Sequence, residues 1–195
     1  MIEIFAPKET DPRETRSPLV PDTAKRLVQL GAKVIVESGA GELAQIDDAA
    51  FEAVGASISR DRRASLGTAD IVFRVRKPPL DEIAHLKKGS IHASFLDPFN
   101  EKPLIDALAK QGVTAVSLEM MPRTTLAQKM DALSSQASLA GYQAVLLAAD
   151  RLGKILPMMM TPAGTLSPSR VFVVGVGVAG LQAIATAKRL GARVE

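Results

Sequence analysis

A glycine that separates a helical segment from a β-rich run occurs five times along the chain. The junctions are RLVQLG before AKVIVE, FEAVG before ASI, HLKKG before SIHASFL, ALAKQG before VTAVSLE, and AKRLG before ARVE. Because glycine readily adopts the left-handed conformation at which helices end, each junction predicts a helix followed by a strand. Three further β-rich runs are IEIFAP, ADIVFRV and RVFVVGVGV. Strands that alternate with helices favour parallel sheet built from βαβ units, so the predicted fold class is α/β.

The longest helical candidate divides this alternation into two series. It runs from Gln128 to Lys154 and is followed by the Pro/Gly/Ser-rich stretch LPMMMTPAGTLSPS. A long helix and a loop between two βα series are typical of a connection between two lobes. We therefore predict a two-lobe, Rossmann-like parallel-sheet architecture. An N-terminal α/β lobe occupies 1–125, and the connecting helix with the first βα unit of an incomplete Rossmann lobe occupies 126–195.

Composition and charge exclude several classes of protein. The 195 residues are 47% hydrophobic and include no cysteine, so a core can form but disulfides, thiolate metal sites and a cysteine nucleophile are excluded. No apolar run approaches the roughly 18 residues of a membrane span, so we expect no direct membrane insertion. The basic cluster Arg60, Arg62 and Arg63 has no aromatic residues interleaved, which predicts a solvated loop and no nucleic-acid partner. His85 and His92 lie outside any metal-ligand pattern, so no metal is expected.

A glycine-rich turn near the carboxyl end has the pattern of a dinucleotide-binding site. Gly175, Gly177 and Gly180 form GxGxxG between the run RVFVV, predicted as a buried strand, and a helical segment. In this pattern the first glycine makes the tight turn, the second lets the backbone approach a pyrophosphate, and the third allows close packing of the helix. Free amides around Val178 and Ala179 would face the phosphate oxygens. Dinucleotide binding is therefore the predicted function of this turn.

The acidic residue that binds the ribose in such folds is expected about 20 residues further along, at the end of the second strand. Glu195 stands at that distance but only two residues after Arg193, where the strand has barely begun. We interpret Glu195 as a mid-strand residue and expect the ribose-binding acid to lie beyond it. The sequence is therefore expected to be a truncated piece of a longer protein.

Several segments together resemble one known family. They are PKET, ETR, PLVPDTAKRLVQLGAKVIVESGAG, ADIVFRVRKP, AQKMDALSSQASLAGYQAV and MMMTPAGTLSPSRVFVVGVGVAGLQAIATAKRLGA. The chain is similar to the α subunits of the proton-translocating NAD(P) transhydrogenases, within the alanine dehydrogenase superfamily. The resemblance implies an NAD(H)-binding domain I that exchanges hydride with NADP(H) held on a partner domain, coupled in the whole enzyme to proton translocation. This fragment by itself is expected to be inactive.

The resemblance also implies partners and a location. It implies a homodimer that works with NADP-binding and membrane-spanning transhydrogenase subunits or domains. It places the domain in the cytoplasm, peripheral to the inner membrane.

In this family the loop before the long helix holds the nicotinamide end of the cofactor. Matched residue by residue, the resemblance assigns that role to Arg123, Gln128, Asp131 and Ser134, with Gln128 bridging the two cofactors as the catalytic residue. A guanidinium, an amide and a carboxylate are suitable partners for a carboxamide and ribose hydroxyls. Asp131 could equally be the N-cap of the helix, and capping and binding can both hold. Leu126 departs from the family pattern, which has a second basic residue there.

Two alternatives remain open. Alanine dehydrogenases hold their substrate through an arginine, a lysine and a histidine; Arg16 matches the arginine, but Arg76 and Asp97 stand at the other two positions. An alanine-dehydrogenase-like amino-acid oxidoreductase is therefore the weaker interpretation. The second alternative is a non-catalytic nucleotide-binding module.

Overall fold

The computed structural model describes residues 1–195. Its internal contacts divide the chain into two compact units, Met1–Met121 and Pro122–Glu195, and each is described by itself. None of the helices has the length and apolar character needed to span a bilayer.

The first unit is a parallel sheet with helices on both faces. Its strands are β1 (Glu3–Ala6), β2 (Lys33–Glu37), β3 (Ser57–Ser59), β4 (Ile71–Arg76), β5 (Ile91–Phe95) and β6 (Thr114–Ser117). Its helices are α1 (Pro21–Gln29), α2 (Asp48–Glu52), α3 (Arg62–Thr68) and α4 (Lys102–Gln111). All six strands are parallel, in the order β3-β2-β1-β4-β5-β6. This is the doubly wound Rossmann order, and it confirms the predicted fold class.

Both faces of this sheet are buried, as its continuous apolar strands require. Phe5 and Ile35 pack on one face with Leu66 of α3 and Leu104 of α4. Ala6, Val34 and Val36 pack on the other face with Ala24 of α1 and Phe51 of α2, in a separate cluster. Neighbouring residues of one strand thus enter opposite cores, because successive side chains of a strand alternate in direction.

The five predicted junctions all occur in the structure. A strand follows each of the glycines, and each glycine has positive φ; they are Gly31, Gly55, Gly89, Gly112 and Gly191. One helix differs from the prediction, because Leu80–His85 forms a 3₁₀ helix. This segment is a short connector between β4 and β5, where 3₁₀ turns are frequent.

The second unit contains one long helix, a hairpin and a βαβ unit. Its elements are α5 (Ala132–Arg151), β7 (Met159–Thr161), β8 (Gly164–Leu166), β9 (Arg170–Val171), α6 (Val178–Arg189) and β10 (Arg193–Val194). β7 and β8 are antiparallel, whereas β9 and β10 are parallel. Glu195 continues this parallel pairing: its amide donates to the Val171 carbonyl and its carbonyl accepts from the Val173 amide, each at 2.9 Å. Glu195 therefore directly follows β10 and continues its backbone pairing.

The run before the glycine-rich turn differs from the predicted buried strand. Only Arg170 and Val171 are in regular strand, and Phe172, Val174 and Val176 are 76%, 87% and 72% exposed. Within this unit the run pairs with a single neighbour, β10, in a two-stranded sheet. A strand is buried when it has neighbours on both edges and helices on both faces, and this one lacks them here.

Arg60 and Arg63 of the basic cluster are exposed, as predicted, but Arg62 is half-buried and is not in a solvated loop. Arg62 opens α3, and its guanidinium donates to Glu37 at 2.6 Å and to Glu82 at 2.7 Å. Glu82 also pairs with Arg74, whose side chain is 1% exposed. The cluster looked solvated in the sequence because both carboxylates come from distant segments.

His92 is fully buried in β5, and its burial strongly perturbs its electrostatics. Its Nε2 lies 3.2 Å from Ser94 Oγ, while Nδ1 has no hydrogen-bond partner. Burial, with repulsion from Arg74, lowers the pKa of His92 from 6.5 to about 3. The folded protein therefore holds His92 neutral.

This burial predicts a loss of stability in mild acid. Because the folded-state pKa is depressed, the contribution of His92 is fully present above pH 6.5 and is lost as the pH falls towards 3. We expect the free energy of unfolding to fall by ~2 kcal/mol between pH 7 and pH 5 from this residue. Urea unfolding of the wild type and of His92→Gln at pH 7, 6 and 5 measures it.

The variant should be less stable at pH 7 but should show a flatter pH dependence. Burial raises the pKa of Glu9, which contributes with the opposite sign, and comparison of the two proteins cancels that contribution. Parallel pH curves for wild type and variant would show that His92 is not the group responsible.

Candidate dinucleotide-binding site

The glycine-rich turn ends at an open helix N-terminus. Gly177 is the N-cap of α6 and has no side chain to bond the first-turn amides. The carbonyl of Gly177 accepts the first helical hydrogen bond, from the Leu181 amide at 2.9 Å, so the amides of the residues before Leu181 have no partner within the helix. Unpaired amides at the positive end of a helix dipole form a binding site for an anion.

The three glycines of the turn are required for different reasons. Gly175 has a φ of +98°, which other residues rarely adopt. A Cβ at Gly180 would lie 2.0 Å from the Gly175 carbonyl oxygen, so the turn closes only on glycine. Gly177 has a φ of −73° and a ψ of −171°, and a Cβ built there meets nothing within 4 Å. Nothing in the chain's own packing requires glycine at 177.

The first turn of α5 lies beside this glycine-rich turn. Asp131 is the N-cap of α5: its Oδ1 accepts from the Ser134 amide at 2.9 Å and its Oδ2 from the Ser134 hydroxyl at 2.5 Å. These two bonds, together with the nearby Arg123, lower the pKa of Asp131. The capping role anticipated from the sequence is therefore present. Gln128 lies just before, exposed, in a 3₁₀ turn at Gln128–Met130 that the sequence placed within the long helix.

A face of small residues lets α5 approach the start of α6 closely. Ser134, Ala137 and Gly141 follow one another at helical spacing and so share a face. A Cβ at Gly141 would lie 2.1 Å from the Ala179 carbonyl oxygen, which shows that the two backbones are in direct contact. Gly141 was not predicted as a site residue, although a glycine inside a helix, costing about 1 kcal/mol against alanine, was the available signal.

α5 and the glycine-rich turn enclose a cleft of about 320 Å³ within the second unit. Its lining residues are Arg123, Leu133, Ser134, Ala137, Val174, Gly175, Gly177, Val178, Ala179 and Gly180. The structure thus brings together all the predicted site residues except Gln128 and Asp131, of which Asp131 touches the cleft residue Ser134. The apolar lining residues Leu133, Ala137 and Val174 were not predicted. Arg123 adds a cation to the open amides, so the cleft suits a ligand with an anionic group beside an uncharged one.

The residues of the alanine dehydrogenase alternative lie in the first unit, at the carboxyl edge of its sheet. Glu14 is buried and accepts two hydrogen bonds from the Arg16 guanidinium, each at 2.6 Å, one from the Arg16 amide at 3.1 Å and one from Arg76 at 2.9 Å. The Arg16 bonds lower the pKa of Glu14 to about 2. Asp97, at the position of the family histidine, is exposed with a positive φ of 52°. Both arginines are therefore already bound to an internal carboxylate.

A doubly wound parallel sheet followed by a GxGxxG strand–turn–helix unit defines the class of two-unit α/β proteins with a dinucleotide-type cleft. The family models agree with this class. Residues 5–140 match the alanine dehydrogenase/PNT N-terminal domain, and residues 144–195 match the corresponding C-terminal domain. The chain belongs to this alanine dehydrogenase/PNT family.

Individual relatives extend this assignment. One part of the NAD(P) transhydrogenase alpha subunit of Rhodospirillum rubrum is 48% identical over 99% of this chain and 52% of that relative. The crystal structure of a transhydrogenase from Sinorhizobium meliloti has a TM-score of 0.94 at 47% identity, covering 98% of this chain and 57% of its own. An alanine dehydrogenase of Halomonas elongata is more distant, at 33% identity over 99% of this chain and 52% of that relative. The chain spans about half the length of the curated relatives it matches.

Proposed function

We propose that this chain is the NAD(H)-binding part of a proton-translocating NAD(P) transhydrogenase. The observation that carries the proposal is the glycine at position 177. The protein's own packing does not require a glycine there, and Gly177 faces an open cleft before an uncapped helix N-terminus. A ligand that approaches the backbone closely gives a reason for that glycine. The pyrophosphate of NAD(H) has the anionic charge that the open amides of Val178 and Ala179 would bind.

Each part of the cleft then has a role in holding the cofactor. Gly175 and Gly180 keep the turn compact, so that the amides of α6 point towards the phosphates. Ser134, with Asp131 behind it, and Arg123 lie on the side of α5 and would orient the nicotinamide end. The nicotinamide supplies the hydride chemistry when bound. Because both reactants are nicotinamides, the chain's own work is positioning and the exclusion of water, and no protein acid or base is required.

The finer parts of the proposal concern the whole enzyme. NADP(H) would be held on a partner domain, and Gln128 in the exposed turn before α5 would set the approach of the two nicotinamides. Proton translocation would belong to membrane-spanning subunits, with this part peripheral on the cytoplasmic face of the inner membrane.

A homodimer is also part of this proposal, and the β7–β8 hairpin supports it. All six strand residues of the hairpin are exposed, and Met160 is 81% exposed. An isolated two-stranded hairpin is marginally stable in water, and exposed apolar patches mark interaction sites. A second copy of the chain is the partner that we propose for this surface.

Two measurements on the full-length polypeptide test the proposal. Equilibrium titration with NADH should show saturable binding, and addition of the NADP-binding partner should give hydride transfer between the two nucleotides. Binding without transfer would favour the non-catalytic nucleotide-binding module. Absence of binding would overturn the proposal.

A separate assay addresses the alanine dehydrogenase alternative. Since Arg16 and Arg76 are both bound by Glu14 and no histidine stands at Asp97, we expect no NAD-linked turnover of alanine or pyruvate. The assay follows NADH absorbance with each substrate at millimolar concentration. Turnover at ordinary enzyme rates, roughly 1 to 10³ per second, would show that the alternative is the correct function.

A further inference from the structure

Several basic residues of the second unit lie together at one end of it. The Arg193 amide donates to the Ser169 carbonyl and the Ser169 amide to the Leu156 carbonyl, at 2.9 and 3.0 Å. A Cβ at Gly191 would lie 2.6 Å from Pro157. These contacts join the loop after α5, the start of β9, the end of α6 and the start of β10. The exposed basic residues on these segments, which we call the basic end, are Lys154, Arg170, Lys188, Arg189 and Arg193.

The cations of the basic end have no counter-ion in the protein. None of them takes part in an ion pair, whereas most lysines and arginines of the first unit do. Between Lys154 and the last residue of the sequence, Glu195 is the only acidic residue. The basic end is therefore a surface of one sign of charge.

Two of these cations are held beside each other by the sheet. Arg170 and Arg193 are register partners in the parallel pair β9–β10. Partners on neighbouring strands project to the same side of a sheet, with the strands about 5 Å apart, and like charges in such positions are destabilising. Lys188 and Arg189, by contrast, lie in the last turn of α6, where cations offset the helix dipole. No group of the protein offsets the repulsion between the two strand arginines, but an external anion would.

We propose that the basic end docks on a membrane surface that contains anionic phospholipids. The lipid phosphates would lie between Arg170 and Arg193, and the other cations would add to the attraction, as basic residues near a membrane do. Leu152 and Ile155 are exposed on either side of Lys154. Apolar side chains among cations suit the boundary between headgroups and acyl chains better than they suit an acidic protein segment. The inference rests on the proposed function for its choice of a membrane as the anionic partner.

The basic end lies at the opposite end of α6 from the candidate dinucleotide site. α6 has 12 residues, so its first turn, which borders the cleft, is about 18 Å from its last turn. Docking through the basic end therefore leaves the cleft open. Affinity for NADH should be the same with and without vesicles.

Co-sedimentation of the full-length polypeptide with lipid vesicles tests this inference. It should bind vesicles of phosphatidylcholine mixed with phosphatidylglycerol but not vesicles of phosphatidylcholine alone. Binding should disappear in about 1 M NaCl, where the Debye length is about 3 Å. Lys188→Gln/Arg189→Gln should weaken binding by about 25-fold, since each cation near an anionic surface contributes about fivefold. Lys25→Gln/Arg26→Gln is the matched control, because it removes another exposed Lys–Arg pair from a helix, α1, and it should keep the wild-type affinity.

A second variant distinguishes loss of docking from loss of folding. Arg170→Gln/Arg193→Gln should weaken vesicle binding by a similar factor, but its melting temperature should not fall, because the substitution removes a repulsion.

Three results would overturn the inference. They are equal binding to both kinds of vesicle, absence of binding at low salt, and an equal effect of the control and the basic-end variants. Tighter binding to polyglutamate than to the anionic vesicles would also overturn it, and would make an acidic protein segment the partner. Titration with NADH is independent of these results: a wild type that binds anionic vesicles but not NADH would overturn the proposed function and leave the docking surface in place.

Discussion

Gly177→Val is expected to weaken NAD(H) binding by at least about 100-fold while the protein remains folded. The backbone of Gly177 is in a conformation that valine adopts easily, and nothing lies within 4 Å of its Cβ position. The new side chain would therefore fit the protein but would stand in front of the amides at the start of α6. Equilibrium titration with NADH and thermal unfolding of the variant measure the two effects.

Two other glycine variants test this explanation. Gly141→Ala places a Cβ 2.1 Å from the Ala179 carbonyl oxygen, so it should lower stability by about 1–3 kcal/mol. Gly67→Ala is the control, because its Cβ would make only an ordinary contact, 3.7 Å from the His85 carbonyl oxygen. Since alanine is favoured over glycine inside a helix such as α3, this variant should be at least as stable as the wild type. Wild-type affinity in Gly177→Val would show that the backbone at 177 is not approached by the cofactor. A large loss of stability in that variant would show that Gly177 is a structural glycine.

Gln128→Ala is expected to slow hydride transfer by about ten- to a thousandfold, because misplacing reacting atoms by an ångström can cost about 10²-fold in rate. Affinity for NAD(H) should change by less than about tenfold, since most of it would come from contacts at the glycine-rich turn. Gln128 is exposed and does not line the cleft. Stopped-flow measurement of transfer to the NADP-binding partner, beside equilibrium titration, gives both quantities.

Lys129→Ala is the matched control for Gln128, because it is the next residue of the same 3₁₀ turn and is also exposed. It should leave transfer within about threefold of wild type, the size expected for a surface change of ±0.5 kcal/mol. If Gln128→Ala loses affinity and rate in equal proportion, Gln128 is an ordinary binding contact and its assigned role is wrong.

Features encoded by neighbouring residues could be predicted from the sequence. The junction glycines indicate the strands that follow them, because the ends of helices are determined within a few residues. The GxGxxG spacing likewise predicts the turn at Gly175 and the start of α6. These local signals were sufficient for the α/β class, since alternation of helix and strand leaves few topologies.

Features that depend on distant partners could not be predicted in this way. Arg62 looked solvated because Glu37 and Glu82 are far from it in sequence. The run at 172–176 looked buried because it is mostly apolar. Apolar composition leads to burial only where enough neighbouring elements cover the strand, and within this unit they do not.

The candidate site likewise contains residues that local sequence patterns predict and residues that they do not. The glycines of the cleft follow from spacing, whereas Arg123 and Ser134 were assigned through the family resemblance, because more than 40 residues separate each of them from the turn. Spacing alone leaves Asp131 as an ordinary cap, and its bond to a cleft residue is visible only in the structure. Ala137 and Leu133 carry no chemical signature, so no pattern distinguishes them from other helix residues.

The direct contact between Gly141 and Ala179 has a consequence for the dimensions of the cleft. Where helices are separated by side chains, their spacing depends on rotamers and can relax when a neighbour changes. Here backbone atoms of α5 and α6 touch, so van der Waals contact between the backbones sets the shortest distance between the two walls. Side-chain repacking at this contact therefore cannot bring the two walls closer together, and the contact sets a minimum width for the cleft.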